Sequence, residues 1–344
     1  MAKVLGYGII GCGYVCERHI NAIKSLNGAE LIALSDIQEE RAKETASRFK
    51  VGKYFADYNQ LLNLEEIDVV IILLPDYLHK EVALKAAQAG KHVCLEKPIA
   101  RTLKEANEII GVCKNNNVKL FIAQSMRFHP SWQKAKQLIE SGYLGNVFKI
   151  KAKNCGYCDF SHGAIDWKWR FNPQLGSGVL GDIGVHYADS FRYLLDADPI
   201  SVYAEMETVR KEEVKMADNA LLLLRFGNNA IAEIEVSLSQ REASWEERIE
   251  VYGRDGSLSF STSGKKMEIY SIKIGKEPDG MAKVENLDPV DFTEIWGRLH
   301  LQFLESIKEN SISPVTGKDG YKALEVIFAA YKSVEEKRAI SLPL

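Results

Sequence analysis

Through the first 125 residues, short apolar runs alternate with segments whose apolar positions recur at helical spacing. Val4-Leu-Gly-Tyr-Gly-Ile-Ile10 reads as a buried strand, Tyr14–Leu26 as a helix and Ala29–Ser35 as a second strand. Gln38–Phe49 follows as a helix, Lys53–Phe55 as a short strand and Asn59–Leu64 as a short helix. Asp68-Val-Val-Ile-Ile-Leu-Leu74 is a continuous, largely β-branched run, the pattern of a parallel strand covered on both faces, and Pro75 closes it. His79–Ala89 is a helix ended by Gly90, Lys91–Leu95 a strand, Leu103–Asn116 a helix and Lys119–Ala123 a sixth strand. Strands alternating with helices predict an α/β domain on a doubly wound parallel sheet, whose ligand lies beyond the carboxyl ends of the strands.

From about Arg127 the alternation stops. Ser131–Ser141 reads as a helix and Val147–Asn154 as an alternating strand. After a long irregular stretch and a further helix come strands at Ile200–Val209, Ala220–Phe226, Ala230–Ser239, Arg248–Tyr252 and Leu258–Ser261. Turn sequences such as Gly227-Asn and Gly253-Arg-Asp-Gly256 separate them and predict antiparallel pairing. Amphipathic segments at Glu294–Lys308 and Tyr321–Glu336 close the chain. The change of pattern predicts two domains, 1–125 and 126–344, the second α+β on an open, mainly antiparallel sheet, with the last helix free to pack back on the first domain.

Composition narrows the function classes. Apolar residues make up 46% and charged residues 26% of the 344, enough for real cores in a water-soluble chain. A formal charge of −3 leaves no electrostatic footprint for nucleic acid or an anionic membrane. No apolar run approaches the ~18–20 residues that span a bilayer. Met-Ala-Lys-Val-Leu runs straight into the first strand without a signal-peptide pattern, and six cysteines in so long a chain make no disulfide scaffold. The expected setting is a reducing cytoplasm.

The candidate chemistry sits at strand ends. Gly11 and Gly13 stand where a dinucleotide-binding βα turn needs them, the first for the tight turn and the second for close approach to a pyrophosphate. The N–H groups opening the next helix, helped by its dipole, suit that anion. Asp36 ends the second strand 25 positions after Gly11. A carboxylate there accepts from adenosine ribose hydroxyls and repels a 2′-phosphate, so NAD is the expected cofactor, without excluding NADP. Arg41 is the counter-signal for NADP, or else part of a solvated helix face. Pro75, Asp76, Glu96 and Lys97 fall at later strand ends, and Lys97 can hold a substrate oxygen beside a cofactor or simply open a surface loop. Pro98 is a candidate for a cis bond.

In the second half, Asp182, His186 and Asp189 are spaced i, i+4, i+7, one face of a helix. A histidine there can take a hydroxyl proton as hydride leaves the same carbon, since imidazole titrates near neutrality. Asp182 can orient that ring or bond the substrate, or the histidine can be a helix residue satisfied by a neighbouring carboxylate. No cluster of His or Cys accompanies them as a metal site requires. The irregular stretch Cys155–Gly178 carries His162, Trp167, Trp169, Arg170 and Phe171, whose aromatic faces suit sugar rings or packing. Cys155-Gly-Tyr-Cys158 lacks the second half-site of a zinc centre and reads as incidental.

Gly8-Ile-Ile-Gly-Cys-Gly13, Leu74-Pro-Asp-Tyr-Leu-His79, Gly90-Lys-His-Val-Cys-Leu-Glu-Lys-Pro98, Gln124-Ser-Met-Arg-Phe-His-Pro130 and Gly178-Val-Leu-Gly-Asp-Ile-Gly-Val-His186 follow one another at characteristic distances. With the closing Pro314–Leu342 stretch, the chain resembles the glucose–fructose oxidoreductase / inositol dehydrogenase (Gfo/Idh/MocA) family over essentially its whole length. The resemblance implies an NAD(P)-dependent dehydrogenase or reductase acting on a sugar, sugar derivative or inositol. It implies catalytic roles for Lys97, Asp182 and His186, and cofactor contacts from Gly11, Gly13, Tyr14, Val15, Asp36 and Arg41. It extends the cofactor contacts to Leu74, Pro75, Asp76, His79, Glu96, Lys97 and Gln124. Substrate contacts fall to Lys97, Arg127, Trp167, Arg170, Asp182 and His186, and no metal is expected. The open sheet implies a homodimer or homotetramer. The family also holds NAD-dependent glycosidases that oxidise transiently and dinucleotide-binding regulators without catalysis, and these are the alternatives. Two departures stand out: Cys16 where Gly or Ala is usual, and Leu74-Pro-Asp76 where the family often has Thr-Pro-Asn.

Overall fold

The computed structural model describes residues 3–159, 169–241, 244–273, 281–286 and 292–344. The alternating first half becomes β1 (Leu5–Ile10), α1 (Cys16–Ser25), β2 (Ala29–Ser35), α2 (Glu39–Phe49), β3 (Lys53–Phe55) and α3 (Tyr58–Leu62). Then come β4 (Val69–Ile72), α4 (Asp76–Gln88), β5 (His92–Leu95), α5 (Leu103–Asn115) and β6 (Leu120–Ile122). The six strands pair parallel in the order β3-β2-β1-β4-β5-β6. Every residue of β1 and β4 is buried, as continuous apolar runs demand at the centre of a doubly covered sheet. The strand order reverses between β1 and β4, which opens a crevice at their carboxyl ends.

A 3-10 turn at Ser125–Phe128 leads into α6 (Pro130–Glu140) and β7 (Val147–Cys155). A π-helical turn at Leu180–Gly184 runs directly into α7 (Val185–Leu195). The strands β8 (Pro199–Glu207), β9 (Asn219–Phe226), β10 (Ile231–Ser237), β11 (Glu246–Gly253), β12 (Gly256–Phe260), β13 (Lys266–Ser271) and β14 (Met281–Asn286) follow. The chain closes with α8 (Phe292–Lys308), α9 (Gly317–Glu336) and β15 (Ile340–Ser341). The nine-stranded sheet has the order β14-β13-β12-β11-β7-β10-β9-β8-β15. Its pairs are antiparallel except β7 with β10, which run parallel because the β8–β9–β10 meander returns to β7 in the same sense. One face buries Leu222, Leu224, Phe226, Ala232 and Ile234 in a core with Trp132, Phe191 and Ile327 from α6, α7 and α9. The other leaves Leu221, Leu223 and Ile231 exposed.

The chain forms two compact units, Met1–Ser125 with Asp291–Tyr321, and Met126–Val290 with Lys322–Leu344. The return to the first unit is therefore made by α8 and the opening turn of α9, while the rest of the last helix belongs to the second unit. The apolar stripe of α8 explains this: Phe303 stacks on Phe121 of β6 with centroids 5.0 Å apart. Among the described residues, no helix is long and apolar enough to cross a membrane.

Candidate active site

The sequence-predicted residues fall into two clusters, one in each unit. In the first, β1 leads into Gly11, whose φ is +101°. A Cβ on it would stand 2.4 Å from the Leu73 carbonyl oxygen, so a side chain is excluded by both conformation and space. Gly13 is glycine for another reason. A Cβ there would meet nothing within 4 Å, so its absence leaves open space over the turn. Val15 is the N-cap of α1 and makes no side-chain capping bond. Among the described residues, the N–H groups of Gly13, Tyr14 and Val15 donate to no backbone acceptor. Three donors at the positive end of a helix suit an anion. Cys16 is buried, and its hydrogen bond with Cys12, together with burial, pushes its thiol far up, so it packs as a small neutral residue.

Asp36 braces this turn. Its Oδ2 accepts from the Cys12 N–H at 2.9 Å and its Oδ1 from the Gln38 N–H at 2.9 Å. Arg41 donates to Asp36 Oδ2 at 3.5 Å and to Gln38 Oε1 at 2.8 Å. Oδ1, with a single donor, can still accept a further hydroxyl.

At the end of β4, Leu74 and Pro75 are half-buried and Asp76 opens α4, buried. His79 follows in the first turn of α4. Its side chain is wholly buried, with Nδ1 2.8 Å from the Pro98 carbonyl oxygen and Nε2 2.8 Å from that of Leu74. Both ring nitrogens thus face backbone carbonyls, and His79 links the β4 and β5 ends. At the end of β5, Glu96 and Lys97 are half-buried, and the Lys97–Pro98 bond is cis. Glu96 Oε2 accepts from the Lys97 N–H at 3.0 Å. Beyond β6, Gln124 is 1% exposed, yet among the described residues neither its amide nitrogen nor its amide oxygen has a hydrogen-bond partner. A buried primary amide with both functions open calls for a ligand carrying the complementary pair.

Pattern reading passed over two histidines of this unit. His19 lies with Ile20 and Ile23 on the buried face of α1, and His300 with Trp296 and Phe303 on that of α8. His19 Nδ1 is 2.8 Å from His300 Nε2. The signal that could have found them is polarity on an otherwise apolar helical stripe.

The second cluster gathers around the π turn. The wider turn replaces the first turn of the regular helix expected through Asp182 and His186, and such turns recur at functional sites. Asp182 and His186 are half-buried, whereas Asp189 is fully buried. Arg127 holds Asp189 through two bonds, Nε to Oδ2 at 2.7 Å and Nη2 to Oδ1 at 2.6 Å. A buried carboxylate needs a paired cation, and the planar guanidinium supplies it. Arg170 Nε donates to Asp182 Oδ1 at 3.0 Å, and its guanidinium carbon stands 4.7 Å from the Trp169 ring centroid. The loop bearing Arg170 is tied to the helix start, because Gly178 N–H donates to the Arg170 carbonyl and Tyr331 OH to that of Ser177, each at 2.9 Å. Phe171 belongs to the core, and His162 and Trp167 lie outside the described residues. Burial pushes the Cys155 thiol up to about 12 and raises that of Cys158, which leaves this pair protonated at neutral pH. Among the described residues, no group of three or more His, Cys, Asp or Glu is placed to hold a metal.

Two family profiles match the chain. One, described as the oxidoreductase family with an NAD-binding Rossmann fold, covers residues 5–124, and the other, the GFO/IDH/MocA C-terminal domain, covers residues 132–259. The chain is 30% identical over 347 residues to glucose-6-phosphate 3-dehydrogenase of Bacillus subtilis, covering 97% of this chain and 98% of that relative. It is 27% identical over 344 residues to myo-inositol 2-dehydrogenase of Thermotoga maritima, covering 97% and 98%. Levoglucosan dehydrogenase, solved with NADH and levoglucosan, has the same fold: its TM-score is 0.91 over 99% of this chain and all of that one, at 24% identity.

Proposed function

The chain belongs to the Gfo/Idh/MocA oxidoreductase family, with its NAD-binding Rossmann fold, and from that premise we propose a dehydrogenase or reductase acting on a secondary alcohol or ketone of a sugar, sugar derivative or inositol. The observation that carries the reading is the full-length likeness to two dehydrogenases named for glucose 6-phosphate and myo-inositol. The glycosidase and regulator alternatives draw no support from these relatives.

The residues present fit the cofactor. The open N–H groups of Gly13, Tyr14 and Val15 would hold its pyrophosphate. Asp36 would accept from the adenosine ribose and disfavour a 2′-phosphate, and the orphaned Gln124 amide matches a carboxamide, acceptor to donor. Bound NAD supplies the hydride acceptor. Lys97 would bond the substrate oxygen and fix the reacting carbon, worth most where water is excluded. His186 would take the hydroxyl proton on oxidation and return it on reduction. Asp182, held by Arg170, would orient the imidazole or bond a neighbouring hydroxyl. The exposed apolar face of the second sheet supports a homodimer or homotetramer, and six free cysteines support a reducing, cytoplasmic setting.

The test is a panel of sugars, inositols and their phosphates offered with NAD or NADP, reduced nicotinamide being followed by absorbance. On the substrate found, Lys97→Ala and His186→Ala should each lower kcat by about 10²–10⁴-fold while the Kd for NAD moves less than about threefold. Wild-type turnover in both variants rejects these roles.

A further inference from the structure

The imidazole pair of the first unit has no task in the reading above. His19 and His300 are both fully buried. The His19 ring lies against Trp296, centroids 4.4 Å apart, and turns Nε2 toward Glu96 Oε1 at 3.4 Å. At that distance the two atoms are not aligned as a full hydrogen bond, and among the described residues neither of these buried atoms has any other partner. A donor and an acceptor so placed, with no competitor, have only each other to satisfy. The other oxygen of Glu96 already receives the Lys97 N–H. The chain His300–His19–Glu96 therefore ends on the backbone of the residue assigned to the substrate oxygen.

We infer that His19 and His300 are positioning residues for Glu96 and Lys97, with His300 Nε2–H donating to His19 Nδ1 and His19 Nε2–H donating to Glu96 Oε1. The order of protons follows from the acceptor at the end. A carboxylate only accepts, so the His19 proton is on Nε2; that leaves Nδ1 to accept, and the His300 proton is on Nε2. Burial, with His19 adding to it, holds His300 well below its ordinary range, consistent with a ring that stays neutral and keeps a single proton. The edge of the Tyr7 ring, 6.3 Å from His300, brings no charged group to it. Through this chain α1 and α8 set the rotamer of Glu96 and the backbone of Lys97. The inference rests on the assignment of Lys97 to the substrate, because a substrate-holding group displaced by about 1 Å costs up to about 10²-fold in rate.

Two measurements test it. Nitrogen-15 NMR of histidine-labelled protein without cofactor should show both rings with the proton on Nε2 at pH 7.5; a proton on Nδ1 of His19 overturns the inference whatever the variants do. In kinetics, glutamine at position 19 keeps a donor where Nε2 stands, while asparagine keeps a polar atom only near Nδ1. His19→Gln should stay within about threefold of wild-type kcat, and His19→Asn should lose about 10²-fold, with the Kd for NAD within about threefold in both. His19→Asn at wild-type kcat, alongside an inactive Lys97→Ala, refutes the positioning role and leaves the reading of Lys97 intact. Turnover retained by Lys97→Ala refutes that reading instead, while the NMR result reports on the proton order separately. Should either variant fail to fold, the spectrum of the unaltered protein decides.

Discussion

An imidazole held neutral in an apolar interior makes stability depend on acid. The folded-state pKa of His300 is depressed by burial and by His19, so protons bind the unfolded chain first as pH falls. Its contribution is intact above the ordinary histidine value near ~6.5 and is lost as pH drops below it, at up to about 1.4 kcal/mol per pH unit. Urea unfolding at pH 7.5, 6.0 and 5.0 should show this slope in the wild type and a shallower one in His300→Asn; equal slopes reject it. At this scale the sequence was informative where chemistry is local. Gly11, Asp36, Lys97 and His186 could be singled out by residue type and spacing. The tasks of His79 and Arg127 could not, because the partners that claim them, the Pro98 carbonyl and Asp189, are 19 and 62 positions away.

The two glycines of the first turn separate conformation from access. In Gly11→Ala the methyl meets the Leu73 carbonyl at 2.4 Å in a backbone that L-residues avoid, and the cost should exceed about 2 kcal/mol. Gly13→Ala meets nothing, so the fold should hold within about 1 kcal/mol. Its methyl projects into the space assigned to the pyrophosphate, and NAD affinity should fall at least about tenfold. Thermal melts and NAD titration of both variants check the pair, and a Gly13→Ala protein that binds NAD normally refutes the placement. Elements read well from pattern: Ala29–Ser35 and Lys53–Phe55 are strands with the expected bounds. The π turn at Leu180–Gly184 did not, since Asp182 and His186 at i, i+4 look the same in a regular helix. Tyr331 and the bonds of Gly178 and Ser177 shape the entry to that turn, and one of these partners comes from α9.

Across the whole molecule, the second sheet keeps apolar side chains exposed on one face. Leu221, Leu223 and Ile231 stay exposed on one face while their alternating neighbours fill the core on the other. If this face joins copies of the chain, Leu223→Lys should convert a dimer or tetramer to smaller species in analytical ultracentrifugation, with the unfolding midpoint of the monomer little changed. An unchanged sedimentation profile points to a different interface. Both fold classes were legible from the change in hydrophobic period near residue 126, because one period belongs to covered parallel strands and the other to half-covered ones. The strands β13 and β14 were not anticipated, and neither was the parallel pairing of β7 with β10.

Local patterning was enough for the kind of each element, the glycine turn and the residue types at strand ends, because these follow from neighbours a few positions apart. Long-range packing was needed for everything that depends on which surfaces meet. It sent α8 and the opening turn of α9 back to the first unit and left the rest of the last helix in the second; it closed Arg127 on Asp189 and His79 on two carbonyls; and it set His300 against His19 in an interior that no charge enters cheaply. The physical reason is the same in each case: a buried polar group must find its partner wherever the fold brings one, and that distance along the chain is not written in any local pattern.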